Sequence, residues 1–220
     1  MELREAMSTL RAVRRLRTDP VDDAVLQRVL EAATWAPSGG NRQPFRIIVV
    51  REEATRTRIQ QLYAPLWERF AEQYSDLIDA LPPATQAKEK RSLAAADHLA
   101  RHLHEAPVIL VVCFNPKQLA ITDAGQDRPS IVGGASVYTA VENLLLACRE
   151  EGLGCTLTTL LCMEENAVKE LLGIPADWGT AAHIPLGWPR GRGHGPITRR
   201  GVEELAFDER WGEPGAFASG

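Results

Sequence analysis

Between an apolar helical pattern and a β-branched run, the chain places a hydroxyl, two side-chain amides, a guanidinium and two glycines in six residues, Ser38-Gly-Gly-Asn-Arg-Gln43. Hydroxyl and amide groups offer donors and acceptors side by side, the set needed to hold a flat ring with a polar edge. Read alone, the same residues make an ordinary Asn/Gly turn. The flanks place the turn between two elements. Val25, Leu26, Val29, Leu30 and Ala33 recur at helical spacing on one face, and Pro37 stops that helix. Ile47 to Val50 shows no alternation, as a strand covered on both faces requires.

Two basic clusters lie near opposite ends of the chain. Leu10 to Pro20 carries Arg11, Arg14, Arg15 and Arg17, and residues 190–200 carry Arg190, Arg192, Arg199 and Arg200. Guanidinium groups pair with phosphate oxygens bidentately. The formal net charge is −4, so nothing draws the chain as a whole to nucleic acid or to an anionic membrane. Local clusters on an acidic chain suit a small anion better than a polymer. An RNA contact is opposed further by the lack of aromatics interleaved with the arginines.

Four segments in order resemble the nitroreductase family of FMN-dependent oxidoreductases. That family typically begins Arg-Ser-x-Arg-x-Phe, where this chain has Arg11-Ala-Val-Arg-Arg-Leu16. It continues with Ala-Pro-Ser-x-x-Asn-x-Gln-Pro-Trp, matched by Ala36 to Phe45, and closes with Leu-Gly-Tyr-Pro and a late arginine, matched by Leu186-Gly-Trp-Pro189 and Arg199. Between them, Asn143 to Gly154 looks like the family's central helix and its Gly-Leu-Gly exit.

The resemblance implies a site. Arg11 and Arg14, in the segment Leu10, Arg11, Ala12, Val13 and Arg14, fall at phosphate-binding positions, and Arg199 falls at the family's last phosphate arginine. Pro37 and Ser38 would approach the flavin ring, with Ser38, Asn41 and Gln43 bonding its edge or the ribityl chain. A cation near N1 and O2 raises a flavin's reduction potential, a role open to Arg14. Leu157, Thr158 and Thr159 occupy the place of backbone contacts to the ring face and its reactive N5. Ordinary β-propensity also accounts for the two threonines. Arg17 and Arg200 read as solvated surface charges, and Arg15 has no assignment. Ala12 in place of Ser removes a hydroxyl donor to the phosphate. Leu16 replaces Phe, Phe45 replaces Trp, and Gly201 stands where Pro is common. None of these removes a charge partner of the phosphate, so FMN is expected to bind at reduced affinity.

No nucleophile or acid–base pair stands out, and neither Gly-x-Ser-x-Gly nor a Walker loop is present. That suits flavin chemistry, where the cofactor reacts and the protein supplies position and field. Gly191-Arg-Gly-His-Gly195 is no dinucleotide loop, because Pro189 and Pro196 preclude the helix such a loop must open. His98 and His102, with His104 nearby, have metal-like spacing but lack an acidic or thiol companion and read as surface histidines. No metal is expected. Cys113, Cys148, Cys155 and Cys162 lie in apolar surroundings and read as buried reduced thiols. Tyr63, Trp67, Phe70 and Tyr74 form an aromatic stripe, either a cover over the flavin or helix-to-core packing.

The elements that must position these groups read as follows. Helices are expected at about 2–15 and 22–36, then a strand at 45–50. Residues 55–104 are mostly helical, broken at Pro65 and Pro82-Pro83, and a strand covers 107–114. After a loop to Pro129 come a helix at about 134–151, a strand at 155–161, a helix at 164–172 and a strand at 180–187. This order lacks strict strand–helix alternation. The fold class is therefore α+β, a mixed and, by the resemblance, mainly antiparallel sheet with helices on both faces, in a single domain over 1–220. Hydrophobic content of 45% suits a globular core. The helix at 134–151 is nearly apolar all round, which places it deep in the molecule. The resemblance puts it at the interface of a homodimer with FMN sites built from both chains. Phe207, Trp211 and Phe217 in the extended C-terminal tail would bury themselves on the partner.

Met1 to Glu5 shows no signal-peptide pattern, and the apolar run Ala106–Phe114 is half a membrane span, so a cytoplasmic protein is expected. The implied activity is a ping-pong reaction. NADH or NADPH delivers hydride to flavin N5, and an electron-poor acceptor such as a nitroaromatic or a quinone then takes the same pocket. Reductive dehalogenation, oxygen-dependent flavin breakdown, or a flavin-storing or regulatory role with slow turnover would keep the same cofactor site.

Overall fold

The computed structural model describes residues 1–218. Four strands form one sheet in the order β1-β2-β4-β3: β1 Phe45–Val50, β2 Val108–Phe114, β3 Gly154–Cys155 and β4 Gly179–Gly187. Every strand pair is antiparallel. The parallel component is a single bridge between Ala12 and Cys155. Seven α-helices accompany the sheet: α1 Leu3–Thr9, α2 Asp23–Thr34, α3 Glu53–Asp79, α4 Pro83–His102, α5 Ala135–Glu150, α6 Glu165–Leu172 and α7 Val202–Leu205.

Strand β2 shows why helices lie on both sides. Val108, Leu110 and Val112 pack with α2 and α5 residues such as Val29, Val141 and Leu144. Ile109, Val111 and Cys113 point the other way, to Ile59 and Tyr63 of α3, Leu99 of α4 and Val168 of α6. The side-chain period of two sorts one apolar run into two cores. That is the α+β sandwich expected from the sequence. No helix among the described residues is long and apolar enough to cross a membrane.

Three expectations are corrected. The first helix ends at Thr9, not near 15, because Val13 and Leu16 bury themselves as an extended segment with Ala106. Val13 N–H donates to Cys155 O at 2.8 Å, and Arg17 N–H to Trp188 O at 2.7 Å. Strand 155–161 shrinks to Gly154–Cys155, after which the chain touches β4 only through Thr156 N–H to Pro185 O and the Thr158–His183 pair and ends in a 3-10 turn at Leu160–Glu164. Pro65 does not break α3, which runs for 27 residues. Buried Tyr63 and Leu66 on either side anchor the helix, so one missing backbone bond is tolerated.

Helix α5 buries one face, Val137, Ala140, Val141, Leu144 and Cys148, and leaves Tyr138 and Glu142 exposed. It is therefore buried on one side in a single chain, not all round. The aromatic stripe also divides. Trp67 Nε1–H donates to Asp97 Oδ1 at 2.6 Å and the Tyr74 hydroxyl to Glu89 Oε2 at 3.1 Å, so these two rings face α4. Tyr63 is buried in the core, whereas Phe70, between Trp67 and Tyr74, is exposed. In the tail, Phe207 lies 5.1 Å from Trp211, whose ring is 92% exposed, and Phe217 is also exposed.

Gly154 governs how closely the Arg11–Arg14 segment approaches the sheet. A Cβ there would lie 2.6 Å from Val13 Cγ1 and 2.9 Å from Leu16 Cδ2. Gly154→Ala should cost about 1–3 kcal/mol of stability through overpacking. Urea unfolding of the variant checks this, and an unchanged midpoint would show that the segment yields freely.

Candidate functional site

The two basic clusters converge. Arg11, Arg14 and Arg199 line one cavity of about 410 Å3, together with Leu10, Ala12, Cys155, Thr156, Leu157 and Ile197. The N-terminal segment supplies its arginines by running extended from Leu10 to Arg17. The tail returns beside it in the opposite sense. Arg190 N–H donates to Arg15 O at 2.9 Å, Gly195 N–H to Thr9 O at 3.0 Å, and Ile197 N–H to Ser8 O at 3.3 Å.

None of the three arginines forms a salt bridge with a carboxylate among the described residues. The Arg11 guanidinium donates to Pro196 O, at 3.1 Å from Nε, and Arg199 donates to the adjacent Thr198 O at 2.9 Å. Glu142 also borders the cavity. Three guanidinium groups thus outnumber the one carboxylate at the cavity, an arrangement that suits an anion on a chain of net charge −4. The donor set suits a phosphate monoester.

Arg14 reaches toward the second core. Burial pushes the Tyr63 phenol up, while a hydrogen bond with Thr158 and the charge of Arg14 act the other way. Leu157 lines the arginine cavity, and Thr158 is fixed by backbone bonds to His183 in both directions, at 2.9 and 3.0 Å. Thr159 is exposed and Val13 is buried in the core, so Val13 has only its backbone to offer a ligand.

The polar turn is held in an unusual conformation. Asn41 and Gln43 have φ of 52° and 47°, beside Gly40 at 60°. Non-glycine residues in this region are uncommon and cluster where surrounding structure enforces them. Here Gln43 N–H donates to Ser38 Oγ at 3.0 Å and its side-chain amide to Asn41 Oδ1 at 3.1 Å. The start of α5 clamps the turn from outside: Gly39 N–H donates to Ser136 Oγ at 3.0 Å, and the Thr139 hydroxyl to Pro37 O at 3.2 Å. Pro37, Asn41 and Gln43 are exposed. No residue of 37–43 lines the arginine cavity, which adjoins α5 further along, at Glu142 and Leu145. The arginine cavity and the polar turn thus lie apart in one chain, along the same helix.

The structure adds residues that the sequence reading passed over. His194, from the loop dismissed as a dinucleotide motif, is buried and bonds both Arg11 N–H and Leu153 O. Tyr63 was visible only as one member of the stripe. His102 does have an acidic companion, since Glu105 Oε1 lies 2.8 Å from its Nδ1. His98 lies instead 3.2 Å from an Arg15 nitrogen. No group of three or more potential metal ligands occurs among the described residues. The cysteines carry free thiols, and burial pushes Cys113 up to about 11.

Comparison with known proteins gives four findings. A family model described as the nitroreductase family matches residues 9–188. The 5,6-dimethylbenzimidazole synthase of Rhodospirillum rubrum is 32% identical over 180 residues, covering 82% of this chain and 78% of that one. The NADH dehydrogenase of Thermus thermophilus is 28% identical over 221 residues, covering 94% and 96%. Among solved structures, an FMN- and NADPH-dependent nitroreductase mutant from a sphigopyxis strain superposes with a TM-score of 0.69 at 21% identity, covering 96% of this chain and 100% of that one.

His183, which pairs its backbone with Thr158, is 1% exposed, and neither ring nitrogen has a hydrogen-bond partner. Burial lowers its imidazole from 6.5 to about 4, against a smaller opposing effect of the Thr158 backbone. Above pH 6.5 the ring is neutral in folded and unfolded chains alike. As pH falls from 6.5 to about 4 the unfolded chain takes up the proton first. About 3 kcal/mol of stability should be lost across that window. Urea unfolding at pH 7 and pH 5 should show a steeper loss in the wild type than in His183→Leu; equal slopes would remove His183 as the cause.

Proposed function

This chain belongs to the nitroreductase family of flavin-dependent oxidoreductases, and on that premise we propose that it binds FMN and uses NAD(P)H to reduce electron-poor acceptors. The observation carrying the cofactor assignment is the convergence of Arg11, Arg14 and Arg199 on one cavity without carboxylate partners. When bound there, FMN would accept hydride at N5 from a reduced nicotinamide and pass electrons to a nitroaromatic or quinone. The chain's own groups bind and orient. Arg11, Arg14 and Arg199 would hold the phosphate, the backbone of Leu157–Thr159 would offer contacts to the ring, and Ser38, Asn41 and Gln43 would bond its polar edge.

The separation of the two half-sites supports a homodimer in which each flavin is held by both chains, within one domain per chain. Met1, Leu3, Ala6, Trp35, Leu146 and Ala147 line a shallow hollow beside α5. Leu3 is 65% and Trp35 72% exposed, an apolar surface that a second chain would cover.

Purified protein should be yellow, and NADPH should bleach it under anaerobic conditions; a colourless protein that takes up no FMN would end this reading. Arg14→Ala should weaken FMN roughly 10–100-fold, the loss expected for a charge-assisted hydrogen bond. Initial-rate lines at several acceptor concentrations should run parallel, as one shared pocket requires, and converging lines would require a ternary complex.

The Rhodospirillum rubrum relative favours a second reading, in which the flavin is itself consumed to give 5,6-dimethylbenzimidazole. Aerobic incubation with FMN and NADPH, followed by mass spectrometry for that product, separates the two.

A further inference from the structure

We infer that His194 is a positioning residue for the anion-binding half of this site, holding Arg11 and the returning tail in the geometry that receives a phosphate. The inference rests on the reading that the arginine cavity takes the phosphate of FMN. His194 is 8% exposed, and both ring nitrogens are engaged. Nδ1 accepts from the Arg11 backbone N–H at 3.3 Å, and Nε2–H donates to Leu153 O at 2.8 Å. Only the neutral ring with its proton on Nε2 makes both bonds.

The position of His194 in the fold explains why this matters. Trp188 faces Arg17, Arg190 faces Arg15, Gly195 faces Thr9 and Ile197 faces Ser8 along one antiparallel seam. His194 sits opposite Arg11 in that seam and ties both segments to the turn between α5 and β3 at Leu153. The residues that follow it complete the cavity. Pro196 O accepts from the Arg11 guanidinium, and Ile197 and Arg199 form part of the wall. Gly195 packs under that guanidinium, where a Cβ would lie 3.4 Å from Arg11 Cζ. Without the imidazole, two seam segments carrying three cations would have to stay together unaided.

The charged groups facing the ring are Arg11 of its seam partner and Arg149 of α5, and both oppose its protonation, as burial does more strongly. Arg149 is itself held by Thr9 Oγ1 at 2.9 Å. A proton on Nδ1 would remove the acceptor of the Arg11 N–H and add a positive charge to the cluster.

The test compares wild type, His194→Phe and His194→Gln by fluorescence titration with FMN and with riboflavin, which lacks the phosphate. Phe fills the space with no hydrogen bond, while Gln offers an acceptor and a donor. Wild type should prefer FMN, and His194→Phe should lose about tenfold or more of that preference with riboflavin affinity nearly unchanged. His194→Gln should regain most of it. An undiminished preference in His194→Phe, or an equal loss for both ligands, overturns the assignment.

Should wild type bind no flavin, the FMN reading falls by itself and inorganic phosphate still judges His194. Phosphate should raise the wild-type Tm and not that of His194→Phe; an equal rise in both overturns the role. Should His194→Phe fail to fold, the pH profile decides. FMN preference should fall below pH 6.5 more steeply in wild type than in His194→Gln, since the phosphate's own protonation is common to both. Superimposed profiles overturn the inference.

Discussion

Like charges repel, and this fold brings three guanidinium groups from opposite ends of the chain to one cavity. Something must hold them there. The antiparallel seam between residues 8–17 and 188–197 does so with backbone bonds, which are indifferent to side-chain charge. It is anchored below by Val13 and Leu16, pressed against Gly154 closely enough to exclude a methyl group. The first α-helix stops at Thr9 for the same reason: a helix through residue 15 would have no free backbone donors to pair with Cys155 and Trp188. The excess of positive charge at the cavity suits an anion. The loss of a serine hydroxyl at Ala12 is small beside it, since charge-assisted bonds are roughly twice as strong as neutral ones.

Much of this was legible before any coordinates. The apolar runs at 45–50 and 107–114, the helical spacing in α2 and the family-like segments located the sheet, its covering helices and the arginines. What escaped has identifiable causes. Val13 and Leu16 fit a helical pattern as well as an extended one, and the pairing partner that decides between them lies some 140 to 170 residues away in sequence. Pro65 is a helix breaker by rule, yet the burial of Tyr63 and Leu66 outweighs one lost bond. The strand expected at 155–161 is realised only in part: beyond Cys155 the free edge of β4 is met by isolated bonds at Thr156 and Thr158, and from Leu160 the chain turns away as a 3-10 helix. His194 escaped because a histidine between glycines carries no periodic signal, and its partners are Arg11 and Leu153.

The polar turn teaches a different lesson. Its residue types pointed to a ring-binding loop or to an ordinary turn, and composition could not choose. The backbone adds an argument, since Asn41 and Gln43 both occupy the left-handed region. The commonest turn needs no such residue, and those that need one or two favour glycine or asparagine there. Here three of four successive positions are left-handed, and hydroxyls from α5 brace the start of the turn at Pro37 and Gly39. Such conformations cluster at functional sites, which supports the ring-binding reading over the ordinary turn.

The polar turn and the arginine cavity both adjoin α5, and on the proposed reading this would tie cofactor binding to assembly. The helix buries its Val137, Val141 and Leu144 face in its own chain and leaves the flank with Glu142, Leu145 and Leu146 less covered. The turn is fastened at Ser136 and Thr139, and the arginine cavity begins at Glu142, about one helical turn further on. On the two-chain reading, a ligand held by the cavity of one protomer and the turn of its partner binds only the assembled state. Such a ligand stabilises the dimer by mass action, and dimerisation in turn raises its affinity. The coupling follows from where the two half-sites are fastened and needs no conformational change. The same geometry gives the exposed Trp35 and Leu3 a place against a neighbour.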